Sequence, residues 1–109
     1  MACQVLVSQK GPLPIKVNFN SPGDLMVCLQ MDGSVWSTSG NQMLGIQIAV
    51  DGQNVGTAQI FSNGASTHRA VVSSFVPLKL TYGPHSIALT AMANTTSDLN
   101  DLFTAVIHY

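Results

Sequence analysis

The chain has 109 residues, a net charge of −1 and only 8% charged residues, against about 25% in an average soluble domain. One domain spanning residues 1–109 fits that length, and it can bury a core without disulfides or a metal. Lys10, Lys16, Arg69 and Lys79 form no basic run, which argues against nucleic-acid binding by phosphate neutralisation. No apolar run approaches the roughly 20 residues of a membrane-spanning helix. MACQVLVSQKG lacks the basic start and the apolar length of a signal peptide. That leaves the cytosol, a mature form, or export without a cleaved signal. Glutamate is absent, so Ser, Thr, Asn, Gln and Gly must build the surface. A weakly charged surface of this kind favours oligomers or display over long-range steering.

Taken in order, Cys3 to Ser8 reads as a first strand, broken by Gly11-Pro12-Leu13-Pro14. Ile15, Val17 and Phe19 alternate with polar residues, which predicts a half-buried strand. After the turn cluster Asn20-Ser21-Pro22-Gly23, Leu25, Val27, Leu29 and Met31 share one face of a long central strand over Asp24 to Ser37. Asp32-Gly33 is either a hairpin turn or a bend within that strand. Leu44, Ile46, Ile48 and Val50 then alternate with lighter residues. Asp51-Gly52 follows, and a second apolar run begins at Val55. This is a hairpin signal, because glycine takes positive φ without strain. The second arm alternates poorly, and Ala58 and Ile60 are taken as its inward set.

Thr67 to Phe75 predicts a further strand, with Val76-Pro77 ending or interrupting its pairing. His85 to Ala93 and Asp101 to Tyr109 complete the set, the last with Phe103, Ala105, Ile107 and Tyr109 on one face. No helix is convincing. About eight short strands predict an all-β, two-sheet antiparallel sandwich. Cys3 and Cys28 both fall in strands, as free apolar thiols or as a disulfide.

No Gly-x-Ser-x-Gly elbow is present, and without glutamate a carboxylate pair would need two of five aspartates. No catalytic residue is assigned. His68, His85 and His108 lack metal-ligand spacing, so no metal ligands are assigned either. The polar loop Asn94 to Asp101 concentrates oxygens from Asp98, Asn100 and Asp101. Those groups suit sugar hydroxyls or a hard cation such as Ca²⁺. Trp36, the one tryptophan, could be an aromatic plate for a sugar ring or a packed core residue. The polar loop residues Asn41, Gln42, Asn63 and Ser66 could line one end of the sandwich near His68 and Arg69. The candidate ligand-binding set is therefore Trp36, Asn63, His68, Arg69, Asp98, Asn100 and Asp101.

The segments Gly33-Ser34-Val35-Trp36-Ser37, Ile46 to Gly52, Gln59 to Asn63, Ser66-Thr67-His68-Arg69 and Gly83 to Leu89 resemble small bacterial β-sandwich proteins of the jelly-roll type. In pattern they are similar to the tumour-necrosis-factor and C1q-like fold. The resemblance implies a two-sheet jelly roll, often a trimer, that binds proteins or glycans. The expected function is a non-catalytic module for a glycan or a host or cell-surface protein, with a homo-oligomer, and a trimer in particular, as the expected assembly. The rival expectation is a self-assembling subunit of a larger particle or secretion apparatus.

Overall fold

A computed structural model describes residues 1–109 as nine strands with no helix, and so with no helix able to cross a membrane. The strands are β1 (Cys3–Lys10), β2 (Ile15–Ser21), β3 (Leu25–Val35), β4 (Gln42–Val50), β5 (Gln53–Ser62), β6 (Arg69–Ala70), β7 (Ser74–Leu80), β8 (Gly83–Ala91) and β9 (Leu102–His108). They form two sheets that pack face to face. One has the order β1-β9-β3, with β7 and the short β6 both on the far side of β3; the other runs β2-β8-β4-β5. All named pairings are antiparallel. The all-β sandwich read from the pattern is the observed architecture, with nine strands in place of about eight.

The core lies between the sheets and follows the period of two. Val27, Leu29 and Met31 of β3 and Phe103, Ala105 and Ile107 of β9 face Ile46 and Ile48 of β4 and Ile87 and Leu89 of β8. Alternation places each of these apolar side chains on the inner face and its neighbours outside. β3 is one continuous strand through Asp32-Gly33, so the hairpin turn is excluded and the single long strand is what forms. A Cβ at Gly33 would come within 2.6 Å of the buried Phe103 ring and 3.0 Å of Ile46. Glycine is there because the two sheets close on that point.

The β4–β5 hairpin turns at Asp51 (φ 52°) and Gly52 (φ 82°), the pair of positive φ values that matches strand twist. A bulge opposite Ile48 and Ala49 explains the poor alternation of the second arm. Val55 and Ile60 both pack on the core, and Ala58 is buried. The turn is pinned from β8. Nδ1 of His85 donates to Oδ2 of Asp51 at 2.6 Å, and Nε2 lies 2.7 Å from the Thr81 carbonyl. The hydrogen bond to Asp51, then that to Thr81, raises the His85 pKa against the opposing effect of burial.

Two expectations are corrected. The strand over Thr67 to Phe75 is split. Val71 N donates to Gly33 O and Val72 N to Gln59 O, so the chain leaves β3 after Val71 and bridges to β5 before β7 begins. Pro77 does not end pairing: it sits inside β7, opposite Cys28. β7 pairs only with β3 there, and an edge strand tolerates a residue without an N–H. The cysteine alternatives are also resolved. Both thiols are free. Cys3 and Cys28 each lie opposite His108, on either side of β9. Two strand spacings of about 4.8 Å separate them, beyond the roughly 7 Å limit for a disulfide.

Candidate functional site

One end of the sandwich gathers the segment after β1, the chain after β3, the loop before β6 and the loop before β9. Asp101 is at its centre and is fully buried. Three donors reach its carboxylate. Oδ1 accepts from Ser34 Oγ at 2.7 Å and from His68 Nδ1 at 2.6 Å, and Oδ2 accepts from Asp98 N at 2.8 Å. A buried carboxylate needs such partners, because desolvation without them costs several kcal/mol, on the order of the whole stability of a small domain. Its backbone extends the same junction: Gly11 N donates to Asp101 O at 2.8 Å, and Asp101 N to Asp98 O at 3.1 Å. Nearby, Leu13 N donates to Ser97 Oγ at 2.8 Å.

Trp36 is tied into this junction by its main chain. Trp36 N donates to Thr96 O at 2.9 Å, and Thr96 N returns to Trp36 O at 2.7 Å. The indole lies against His68, ring centroids 5.7 Å apart and tilted by 37°. It is half-buried, with Nε1 turned inward and lacking an acceptor.

His68 is therefore held on two sides, by Asp101 at Nδ1 and by the Trp36 ring. Its Nε2 faces Asp98 Oδ2 at 3.7 Å, with the two side chains 36% and 40% exposed. The hydrogen bond to Asp101 raises the His68 pKa above 6.5; burial opposes the shift, and the negative charges of Asp101 and Asp98 add to it. His68, Asp98 and Asp101 offer ligand atoms that all lie within 4.8 Å of one another, so the group could hold a metal ion. A carboxylate behind a histidine, leaving the other ring nitrogen directed outward, is also how proteins orient metal-ligating imidazoles. The same exposed pair could take a sugar hydroxyl.

Of the residues anticipated from sequence, the fold thus brings Trp36, His68, Asp98 and Asp101 together. Asn100 joins through its backbone, whose N–H donates to Asp98 Oδ1 at 2.8 Å. Arg69 follows His68 directly and pairs with Val35 in the β3–β6 ladder. Asn63 is exposed in the loop before His68, where its carbonyl sits against Gly40; its side chain is not tied to the cluster. Asp101 lies behind the surface formed by the others. Sequence reasoning missed Ser34. Its signal was the alternation at the end of β3, which puts Ser34 on the face opposite the buried Val35.

The chain matches no protein-family model and no curated protein. Solved structures do share its architecture. A family 35 carbohydrate-binding module from Clostridium thermocellum superposes with a TM-score of 0.56 at 16% identity, over 95% of this chain and 90% of that one. A family 35 module from an environmental isolate gives 0.56 and 16%, over 93% and 68%. The CBM36-1 domain of a multidomain xylanase from the hindgut metagenome of Trinervitermes trinervoides gives 0.51 and 14%, over 99% and 98%. The likeness is one of fold. It places the chain among jelly-roll β-sandwiches of the kind these modules adopt.

The raised pKa sets a pH test. The protonated form of His68 is favoured in the folded state, so its contribution to stability is complete below about pH 6.5. That contribution is lost as pH rises through the higher folded-state value. Titrating the His68 ring by NMR is expected to give a midpoint above 6.5, falling towards it in Asp101→Asn. A wild-type midpoint at or below 6.5 contradicts the geometry.

Proposed function

We propose that the chain is a non-catalytic carbohydrate-binding module whose ligand site is the end formed by Trp36, His68, Asp98, Asn100 and Arg69. The observation that carries this reading is the held pair of Trp36 and His68 beside Asp98. An aromatic face can stack on the C–H face of a sugar, and the neighbouring ring nitrogen and carboxylate can hydrogen-bond its hydroxyls. Asp101, its oxygens already taken by three donors, serves to position His68 and not to react. The fold shared with carbohydrate-binding modules supports the same reading, as does a surface rich in amides and hydroxyls. A divalent cation between His68 and Asp98 would add an anchor for vicinal hydroxyls. The donor set, imidazole with carboxylate, suits zinc or manganese better than Ca²⁺, which prefers an all-oxygen shell.

Isothermal titration against a panel of oligosaccharides tests this, run after chelation and again with calcium or zinc. Binding is expected for at least one glycan, and Trp36→Ala is expected to weaken it at least about tenfold, a loss of roughly 1.4 kcal/mol. His68→Ala is expected to abolish any dependence on the metal. No heat with any glycan under any metal condition would sink the proposal.

A second reading, a self-assembling subunit, is favoured by one observation. The outer face of the five-stranded sheet exposes Val5, Met26, Phe75 and Leu102. Val5, Val106, Gln30 and Phe75 form one row across four strands. The proposed occupant is a second copy of the chain, since a net charge of −1 puts little repulsion between like faces. The trimer implied by the tumour-necrosis-factor resemblance is one such assembly. Sedimentation is expected to show an oligomer that Phe75→Lys dissociates; a wild-type monomer at high concentration contradicts this second reading.

A further inference from the structure

The opposite end of the sandwich carries a recess of about 330 Å³. Its lining comes from the start of β1, the β2–β3 turn, the β7–β8 turn and the chain after β9. Ligand pockets run from about 300 to 1,000 Å³, so this one suits a single small ring more than an extended chain. The principal lining side chains are Gln4, Asn20, Tyr82 and Tyr109, and none of the lining residues is charged.

The architecture holds these groups in place. Gln4 Nε2 donates to Asn20 O at 3.3 Å, a tie from one sheet to the other. Tyr82 N donates to Asp24 Oδ1 at 2.8 Å, which fixes the base of the tyrosine. Gly83 at φ 108° then turns the chain into β8, with open space where a side chain would stand. Tyr82 is 75% exposed although its backbone is anchored. A large aromatic ring held out of the core adds little to stability and offers a ready stacking surface. Tyr109 is anchored by Ala2 in both directions, N to O at 2.9 Å and O from N at 2.6 Å.

Two phenol rings, two side-chain amides and no charged side chain define the chemistry of an occupant. It should be neutral, flat on at least one face, and dense in hydroxyl groups. We infer that this recess is a second saccharide site, which takes one neutral pyranose ring stacked on Tyr82 and hydrogen-bonded by Gln4 and Asn20. The residues are distinct from those around His68, so the inference does not rest on the function proposed above. With both sites occupied, the domain would carry sugars at the two ends of its 44 Å axis and could bridge separate chains or branches. Bivalent contact of this kind raises avidity without new protein surface.

The test is an amide chemical-shift titration of the full chain with neutral methyl pyranosides of the gluco, galacto, manno and xylo series. Saturable shifts are expected at Asn20, Ser21, Tyr82, Gly83 and Tyr109. Tyr82→Ala is expected to weaken that response at least about fivefold while leaving the remaining spectrum folded. Gln4→Ala should weaken it as well, and His68→Ala should leave it unchanged. Shifts confined to residues around Trp36 and His68, or none with any glycoside, overturn the second site. The first of those outcomes leaves the function proposed for the His68 end standing. Shifts at the recess that persist undiminished in both Tyr82→Ala and Gln4→Ala also overturn it.

Discussion

A carboxylate with no access to solvent is stable only where donors surround it, and Asp101 has three. They come from β3, from the loop before β6 and from the loop that leads into β9. Each donor therefore fixes a different part of the chain to one point. Gly11 N adds a fourth attachment through the Asp101 carbonyl. The loops at this end have little apolar surface to bury, and hydrogen bonds to a charged group, at roughly 1.5–3 kcal/mol each, substitute for a core. The position of His68, and through it the exposed face shared with Trp36 and Asp98, is a consequence of that arrangement.

The body of the domain carries no comparable polar junction. It is held by the apolar residues of two inner faces, and the strands carry only five charged residues, Lys10, Lys16, Asp32, Arg69 and Lys79. This separates stability from recognition. The sheets fix the ends, and the ends present the polar and aromatic groups. His85 with Asp51 does for the hairpin turn at one end a smaller version of what Asp101 does at the other. There, however, the Asp51 carboxylate is half exposed and the His85 ring largely covered, and the pair serves to pin a turn.

Much of the scaffold was legible in the sequence. Leu44 to Val50 and Phe103 to Ile107 alternate because each strand has one face in the core. Asp51-Gly52 marks its turn because few other pairs accept positive φ twice. The errors arose where pairing was decided by distant chain. Pro77 looked like a breaker, and whether a strand is an edge cannot be read locally. Val71 and Val72 looked like strand, but their N–H groups pair with Gly33 and Gln59 on different strands. Val55 to Phe61 alternated badly because a bulge shifts its phase.

The candidate site was legible as residue types and not as an arrangement. Asp98, Asn100 and Asp101 stood out as a polar run, and Trp36 as the one tryptophan. Residues 36, 68 and 98–101 meet only because β9 lies beside β3 and the chain before β6 folds over the same edge. No spacing encodes that meeting. Nor does any local pattern distinguish the buried Asp101 from the half-exposed Asp98. This arrangement predicts that the Asp101 carboxylate organises this end while the sheets fold without it. Amide hydrogen exchange on Asp101→Ala tests it most directly. Protection should fall at Gly11, Trp36, Thr96 and Asp98 while Leu29, Ile48 and Ile107 stay protected; unchanged protection at the first group, or equal loss at both, would contradict the account.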